Sequence, residues 1–210
     1  MTRAVIALGG NLGDREANLA AAVRAIDAID GTTIVAASGR YETPALTLEG
    51  IDATLPAYLN AVVVVETSLE PAALLSILNA IEDAQGRTRE VRWGSRTLDL
   101  DIVHVDGVSS RDPELVLPHP RAHERAFVLA PWLEADPEAE LPGRGRVADL
   151  LDAVDDPVTR VGALPGLGDE ADADADADAG ADASGAPTAN AAVVAEPSGV
   201  SPSAGGAPRA

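Results

Sequence analysis

Two periods of apolar residues run through the first half of the chain, and their order predicts a topology. Leu98, Leu100 and Ile102 alternate with Asp99 and Asp101, the two-residue period of a strand with one covered face and one polar face. Tyr58 to Thr67 shows the same period, with Tyr58, Asn60, Val62 and Val64 on one face and Leu59, Ala61, Val63 and Val65 on the other. A short apolar run, Ala4 to Leu8, ends at Gly9-Gly10 and reads as a buried strand. After GGNLGD (9–14) the period becomes helical: Leu19, Val23 and Ile26 share a face through about Ile29, with Asp14 as N-cap. Pro71 opens a second helix whose stripe is Leu74, Leu78 and Ile81, flanked by Leu75, and Gly86 ends it. Between the first helix and the long strand, Thr32 to Tyr41 is β-rich and Thr43-Pro44 forces an extended exit. Ala45 to Pro56 has no period and is expected to be a long loop.

The order β-α-β-β-α-β, with right-handed crossovers, predicts a ferredoxin-like sandwich of the α+β class: an antiparallel sheet with both helices on one face. The Asp99 and Asp101 face is then expected to be uncovered and free to bind ligand. Downstream, LPHP (117–120) is a turn, followed by a short helix containing Arg125 and Phe127, a last helix from Val147 to Val154 and an edge strand from Val158 to Val161. His104 shares parity with Leu98 and Ile102 and reads as structural; His119, held extended between prolines, does not read as a core histidine. Residues 1–164 are expected to form one domain. Residues 165–210, nearly free of large apolar side chains, are expected to be a disordered acidic tail.

Charge narrows the chemistry. The net charge is −19, and the tail, with eight acids and one base, carries −7 of it. An acidic chain repels nucleic acid, so an anionic substrate needs a local cluster. Arg87, Arg89, Arg92, Arg96, Arg121 and Arg125 supply one. The absence of lysine excludes a Walker-type phosphate site, and the absence of cysteine excludes disulfides, thiolate zinc and a cysteine nucleophile. No apolar run approaches about 18 residues, and the start is too short and glycine-rich for a signal peptide, so a cytoplasmic protein is expected. Asp99 and Asp101 sit roughly 6.6 Å apart along a strand and can converge on metal ions about 3.5–4 Å apart. Carboxylates beside guanidinium forks suit a Mg²⁺-nucleotide site; the alternative is an exposed edge strand with surface ion pairs. GGNLGD fits either a phosphate cradle or a plain tight turn, since neither GxGxxG nor GxxxxGK[ST] is present. Tyr58 and Asn60 suit a polar flat ligand, or simply a strand end meeting water.

Together, GGNLGD (9–14), YETPAL (41–46), YLNAVV (58–63), GRTR (86–89), RWGSRTLDLDI (92–102) and LPHPRAHERAFVLAP (117–131) resemble the 6-hydroxymethyl-7,8-dihydropterin pyrophosphokinases of folate biosynthesis. The resemblance covers about residues 1–160 and leaves the tail unmatched. It implies transfer of pyrophosphate from ATP to the pterin's hydroxymethyl group, with AMP released. It also implies two Mg²⁺ ions on Asp99 and Asp101, with Arg96, Arg87 and Asp101 as the catalytic residues. Glu82, Arg87, Arg89, Arg92, Trp93, Arg96, His119 and Arg125 would bind ATP. The pterin would stack between Tyr58 and Phe127, with Thr43, Pro44, Ala45, Leu46, Asn60 and Trp93 around it. Pro120 follows His119 where some members have an aromatic residue, and Glu90 stands where some have lysine. A monomer without nucleic-acid or membrane partners is expected. Two rivals remain: a palm-type two-metal enzyme, which should carry a basic groove, and a non-catalytic ferredoxin-like module that binds a small effector.

Overall fold

β1 (Thr2–Gly10), the apolar run with its two glycines, is an interior strand of the sheet, paired on both sides. The structure, a computed structural model, describes residues 1–47, 50–52, 55–86 and 96–167. In chain order there follow α1 (Arg15–Asp27), β2 (Thr32–Ala37), β3 (Arg40–Thr43), β4 (Ala45–Thr47), β5 (Gly50–Asp52), β6 (Tyr58–Thr67) and α2 (Pro71–Ala84). Next come β7 (Asp99–Val105), β8 (Ser110–Asp112), β9 (Leu115–Leu117), α3 (Ala126–Ala135), β10 (Glu140–Leu141), β11 (Gly145–Arg146), α4 (Val147–Asp152) and β12 (Thr159–Gly162). β1 pairs antiparallel with β6 and β7, β2 and β3 both pair with β6, and β12 pairs with β3. This is the expected ferredoxin-like order, with β12 added at one edge.

Asp14 caps α1 by accepting the Ala17 N–H at 3.0 Å. Leu19, Val23 and Ile26 of α1, with Leu74 and Leu78 of α2, bury against Ile6, Leu8, Ala61, Val63, Leu100 and Ile102. Both helices therefore cover one face, as the 3.6-residue stripes require.

The opposite face departs from expectation. It is not uncovered: α3 and α4 lay Val128, Leu129, Trp132 and Val147 over Val5, Val62, Val64 and Val103. Each fully buried side chain of this kind contributes about 1.5–3 kcal/mol, so valines on that face demand a cover. Only the part carrying Gly9, Asn60, Asp99 and Asp101 stays open.

Smaller differences have local causes. The β-rich stretch 32–41 splits at Ser38-Gly39, where a Cβ on Gly39 would sit 2.5 Å from the Gly162 carbonyl. The expected loop 45–56 contains the β4–β5 hairpin. Arg125 immediately precedes α3 instead of lying in it. In β7, Ile102 pairs with Ile6 but His104 with Val5, leaving Val103 as an extra residue. This bulge turns His104 away from the face of Leu98 and Ile102 and sets its ring 6.2 Å from that of Trp132. At the far end, Leu164 and Leu167 join the first core. The rest of the expected tail lies outside the described residues, among which no helix is long and apolar enough to cross a membrane.

Candidate active site

Strand register sets the floor of the open region. Asn60, Gly9 and Asp99 are paired across β6, β1 and β7, and Val62, Ala7 and Asp101 form the next row. Gly9 has no side chain and Ala7 only a methyl, so the middle strand leaves room between Asn60 and the carboxylates. The resulting cavity has a volume of about 470 Å³. Thr43, Pro44 and Tyr58 line it from β3 and β6, Arg96 from the approach to β7, and His119, Arg125 and Phe127 from the segment leading into α3.

One side combines aromatic rings with a fixed amide. Asn60 is buried, and its Nδ2 donates to the Thr43 Oγ1 at 3.1 Å. A Cβ on Gly9 would lie 2.8 Å from the Asn60 Oδ1, so glycine keeps that amide in place. Burial raises the pKa of the Tyr58 phenol, with Arg96 pulling the other way, and the ring stays neutral. The Arg125 guanidinium stands 5.5 Å from the centre of the Phe127 ring.

The other side gathers charge. Arg96 pairs with Asp99. Its backbone is fastened to the turn after β1: the Asn11 and Leu12 N–H groups both donate to the Arg96 carbonyl, at 2.9 and 3.1 Å. A Cβ on Gly10 would come within 2.4 Å of the Thr97 carbonyl. Of the two readings of GGNLGD the structure supports the tight turn, because those N–H groups hold protein and not phosphate. The His119 N–H donates to the Val103 carbonyl at 2.8 Å, and its Nδ1 accepts the Arg121 N–H at 3.3 Å. Burial, then the Arg125 and Arg121 charges, push the His119 imidazole down to about 4, so it is neutral at physiological pH. Burial also lowers the pKa of Arg125, against the opposing pull of Asp101.

Asp99 and Asp101 fit Mg²⁺, which takes one or two protein carboxylates and completes its shell with water and substrate phosphates. Among the described residues no group of three or more His, Asp or Glu side chains forms a fuller cage. Glu82 does not line the cavity. It is 1% exposed, continues the Leu74 and Leu78 stripe, and accepts the Leu100 N–H at 2.7 Å, tying α2 to the aspartate strand. Ala45 is buried at the start of β4, where Leu46 pairs with Ile51. Arg87, Arg89, Arg92 and Trp93 lie outside the described residues. Gly9, Arg121, Glu124 and Asp156 also line the cavity and were not singled out as site residues. Arg121 had a signal in the clustered arginines, Gly9 in GGNLGD and Glu124 in the 117–131 motif; Asp156 had none.

On a ferredoxin-like sheet, one cavity gathers paired carboxylates, arginines and two aromatic rings, a set whose chemistry suits a transferase handling phosphorylated anions and flat acceptors. The family described as 7,8-dihydro-6-hydroxymethylpterin-pyrophosphokinase matches residues 5–137, and the chain belongs to that family. The chain is similar to the 2-amino-4-hydroxy-6-hydroxymethyldihydropteridine pyrophosphokinase of Methylorubrum extorquens, 43% identical over 68% of this chain and 88% of the relative. It is similar to those of Bacillus subtilis (43%, over 65% and 80%) and Mycobacterium leprae (40%, over 77% and 87%). Among solved structures, the wild-type HPPK-DHPS of Plasmodium falciparum with pteroate shares the fold, with a TM-score of 0.56 at 14% identity. That match covers 72% of this chain and 44% of the Plasmodium chain.

Proposed function

We propose that the open part of the sheet is the catalytic site, with ATP along Arg96, His119 and Arg125 and the pterin between Tyr58 and Phe127. As a member of its family the chain is an ATP-dependent pyrophosphokinase of folate biosynthesis. It transfers pyrophosphate from ATP to the hydroxymethyl group of 6-hydroxymethyl-7,8-dihydropterin. The single observation that carries the residue assignment is that Asp99, Asp101, Arg96 and Arg125 line the same cavity as Tyr58, Asn60 and Phe127.

In our reading Asp99 and Asp101 hold two Mg²⁺ ions. When bound, the metal neutralises phosphate charge and acidifies a coordinated hydroxyl. The protein's own share is positioning and charge. Asn60 and Thr43 fix the ring edge, Tyr58 and Phe127 its faces, and Arg96 the phosphates. The pterin hydroxyl gives up its proton to solvent as its oxygen bonds to the β-phosphorus, the bond from that phosphorus to the α,β-bridging oxygen breaks, and AMP leaves with that oxygen. Arg87, Arg89, Arg92 and Trp93 complete the ATP site in this reading, with Trp93 also beside the pterin. Glu82 acts there through Leu100, whose N–H it accepts. Residues 1–164 form the catalytic domain and 165–210 an acidic appendage. The enzyme works as a cytoplasmic monomer, without nucleic-acid or membrane partners.

³¹P NMR of the protein with ATP, Mg²⁺ and the pterin tests this. AMP with a pterin pyrophosphate, formed only when pterin is present, is the expected result. ADP would mean ordinary phosphoryl transfer, and pterin binding without turnover would favour a non-catalytic effector module.

A further inference from the structure

Pro157 disfavours helical backbone at Asp156, and β12 then runs antiparallel to β3, with Thr159 opposite Glu42 and Arg160 opposite Tyr41. Continued backwards, this register leads Val158, Pro157 and Asp156 along Thr43 and Pro44. Thr43, Pro44 and Asp156 all line the cavity, so the carboxylate reaches it at the end where the ring-binding side chains gather. The strand that delivers it is fastened from behind. The Arg160 Nε donates to the Glu134 Oε1 of α3 at 2.9 Å, and the other oxygen of Glu134 accepts the Gly39 N–H at 2.9 Å.

Among the described residues four carboxylates line the cavity, and their surroundings differ. Asp99 pairs with Arg96 and Glu124 with Arg121, while Asp101 acts on the Arg125 guanidinium. Asp156, half-buried, forms no hydrogen bond or ion pair among the described residues. It also lies beyond residues 5–137, the stretch that matches the family. An acceptor-only group has a definite use at this end. The reduced pterin carries an amino group and two ring N–H groups, more donors than the Asn60 Oδ1 can accept, and the Asn60 Nδ2 is committed to Thr43. A carboxylate supplies further acceptors, and its charge strengthens the bond.

We propose that Asp156 is a specificity-determining residue, a carboxylate that accepts a hydrogen bond from the amino group of the pterin ring. The proposal rests on the reading that the pterin occupies the Tyr58 end of the cavity. β12, the strand added to the ferredoxin-like order, is then what carries this acceptor to the ring.

The test is steady-state kinetics of the full chain and its Asp156→Ala variant, with the pterin and with an analogue bearing hydrogen in place of the amino group. In Asp156→Ala the pterin KM should rise about tenfold or more, the scale of a hydrogen bond to a charged group, with kcat and the ATP KM within about twofold. Asp156→Asn, which keeps a neutral acceptor, should lie between. The wild type should favour the pterin over the analogue in kcat/KM, and in Asp156→Ala that preference should shrink by the factor lost in pterin KM. The preference is a ratio and does not depend on the fraction of variant that folds. The urea midpoint should not move, because Asp156 holds no partner whose loss would cost stability. An unchanged pterin KM, an equal rise in both KM values, or an undiminished preference in Asp156→Ala overturns the proposal alone when the wild type forms AMP with the pterin. A wild type that neither binds pterin nor forms AMP overturns the functional reading and the proposal together.

Discussion

One face of the sheet is divided into two halves that share strands and parity but not fate. In the filled half, Val5, Val62, Val64 and Val103 lie under Trp132 and Leu129. In the open half, Gly9, Tyr58, Asn60, Asp99 and Asp101 border the cavity. The boundary runs across three strands within one or two residues on each: Asn60 to Val62 on β6, Ala7 to Val5 on β1, Asp101 to Val103 on β7. Valine removed from water draws a helix down, whereas a carboxylate or amide desolvated without partners would cost several kcal/mol and so holds the helix off. The floor of a binding cavity thus needs no special loop. It appears where the side-chain chemistry on a continuous strand changes.

The sharpest way to break this comparison is to attack each half and ask which property fails. Asp101→Ala, in the open half, should abolish Mg²⁺-dependent AMP formation, a loss on the order of 10³-fold or more, while the fold survives. Wild-type rates would remove Asp101 from the metal site. Trp132→Ala, in the filled half, should lower unfolding free energy by about 3–5 kcal/mol in urea titration. Its turnover per folded molecule should stay within about threefold, on the view that the halves are separable. A folded Trp132→Ala as inactive as Asp101→Ala would show that they are not. Arg96→Ala should cost about 10²–10³ in kcat, as removal of one preorganised charge-stabilising donor does. A change below about threefold would move that role elsewhere.

Two smaller effects sharpen the boundary itself. Gly9→Ala places a methyl against the Asn60 amide and should raise the pterin KM about five- to tenfold, with the ATP KM unmoved. An unchanged pterin KM would mean that the amide can turn aside at no cost. The least effect is expected at His104, in the filled half beside Trp132. Burial holds its pKa below the usual 6.5, against the opposing pull of Asp106. The unfolded chain therefore binds the proton first, and this contribution to stability is lost as pH falls below about 6.5. Denaturation curves of His104→Gln should show a flatter decline in that range. An unaltered slope would assign the decline to other groups.

Much of this architecture is legible in the residues, because strand and helix periods are local. The alternation of Leu98 to Ile102 and of Tyr58 to Val65, the Asp14 cap and the Leu74–Leu78 stripe each express a backbone geometry that the chain adopts over a few residues. The motif residues, too, lie close together in sequence, so their chemistry shows without a fold. What the sequence left hidden depends on distant partners. The bulge at Val103 turns His104 to the other face only because β7 pairs with β1. The Ser38-Gly39 break answers to Gly162, more than a hundred residues later. The cover over the aspartate face comes from α3, whose apolar residues meet the sheet only after the chain has returned.

The division is therefore one of range. By itself the sequence determined the core β-α-β-β-α-β elements, their ferredoxin-like order and the family chemistry, since propensity, periodicity and motif spacing act over short stretches. Only the tertiary structure decided which half of the aspartate face stays open, what GGNLGD binds, and that Asn11 spans Arg96 and Pro56. Those are contacts between residues some 45 and 85 positions apart. Their energy is realised only when the chain has closed the loops that bring them together.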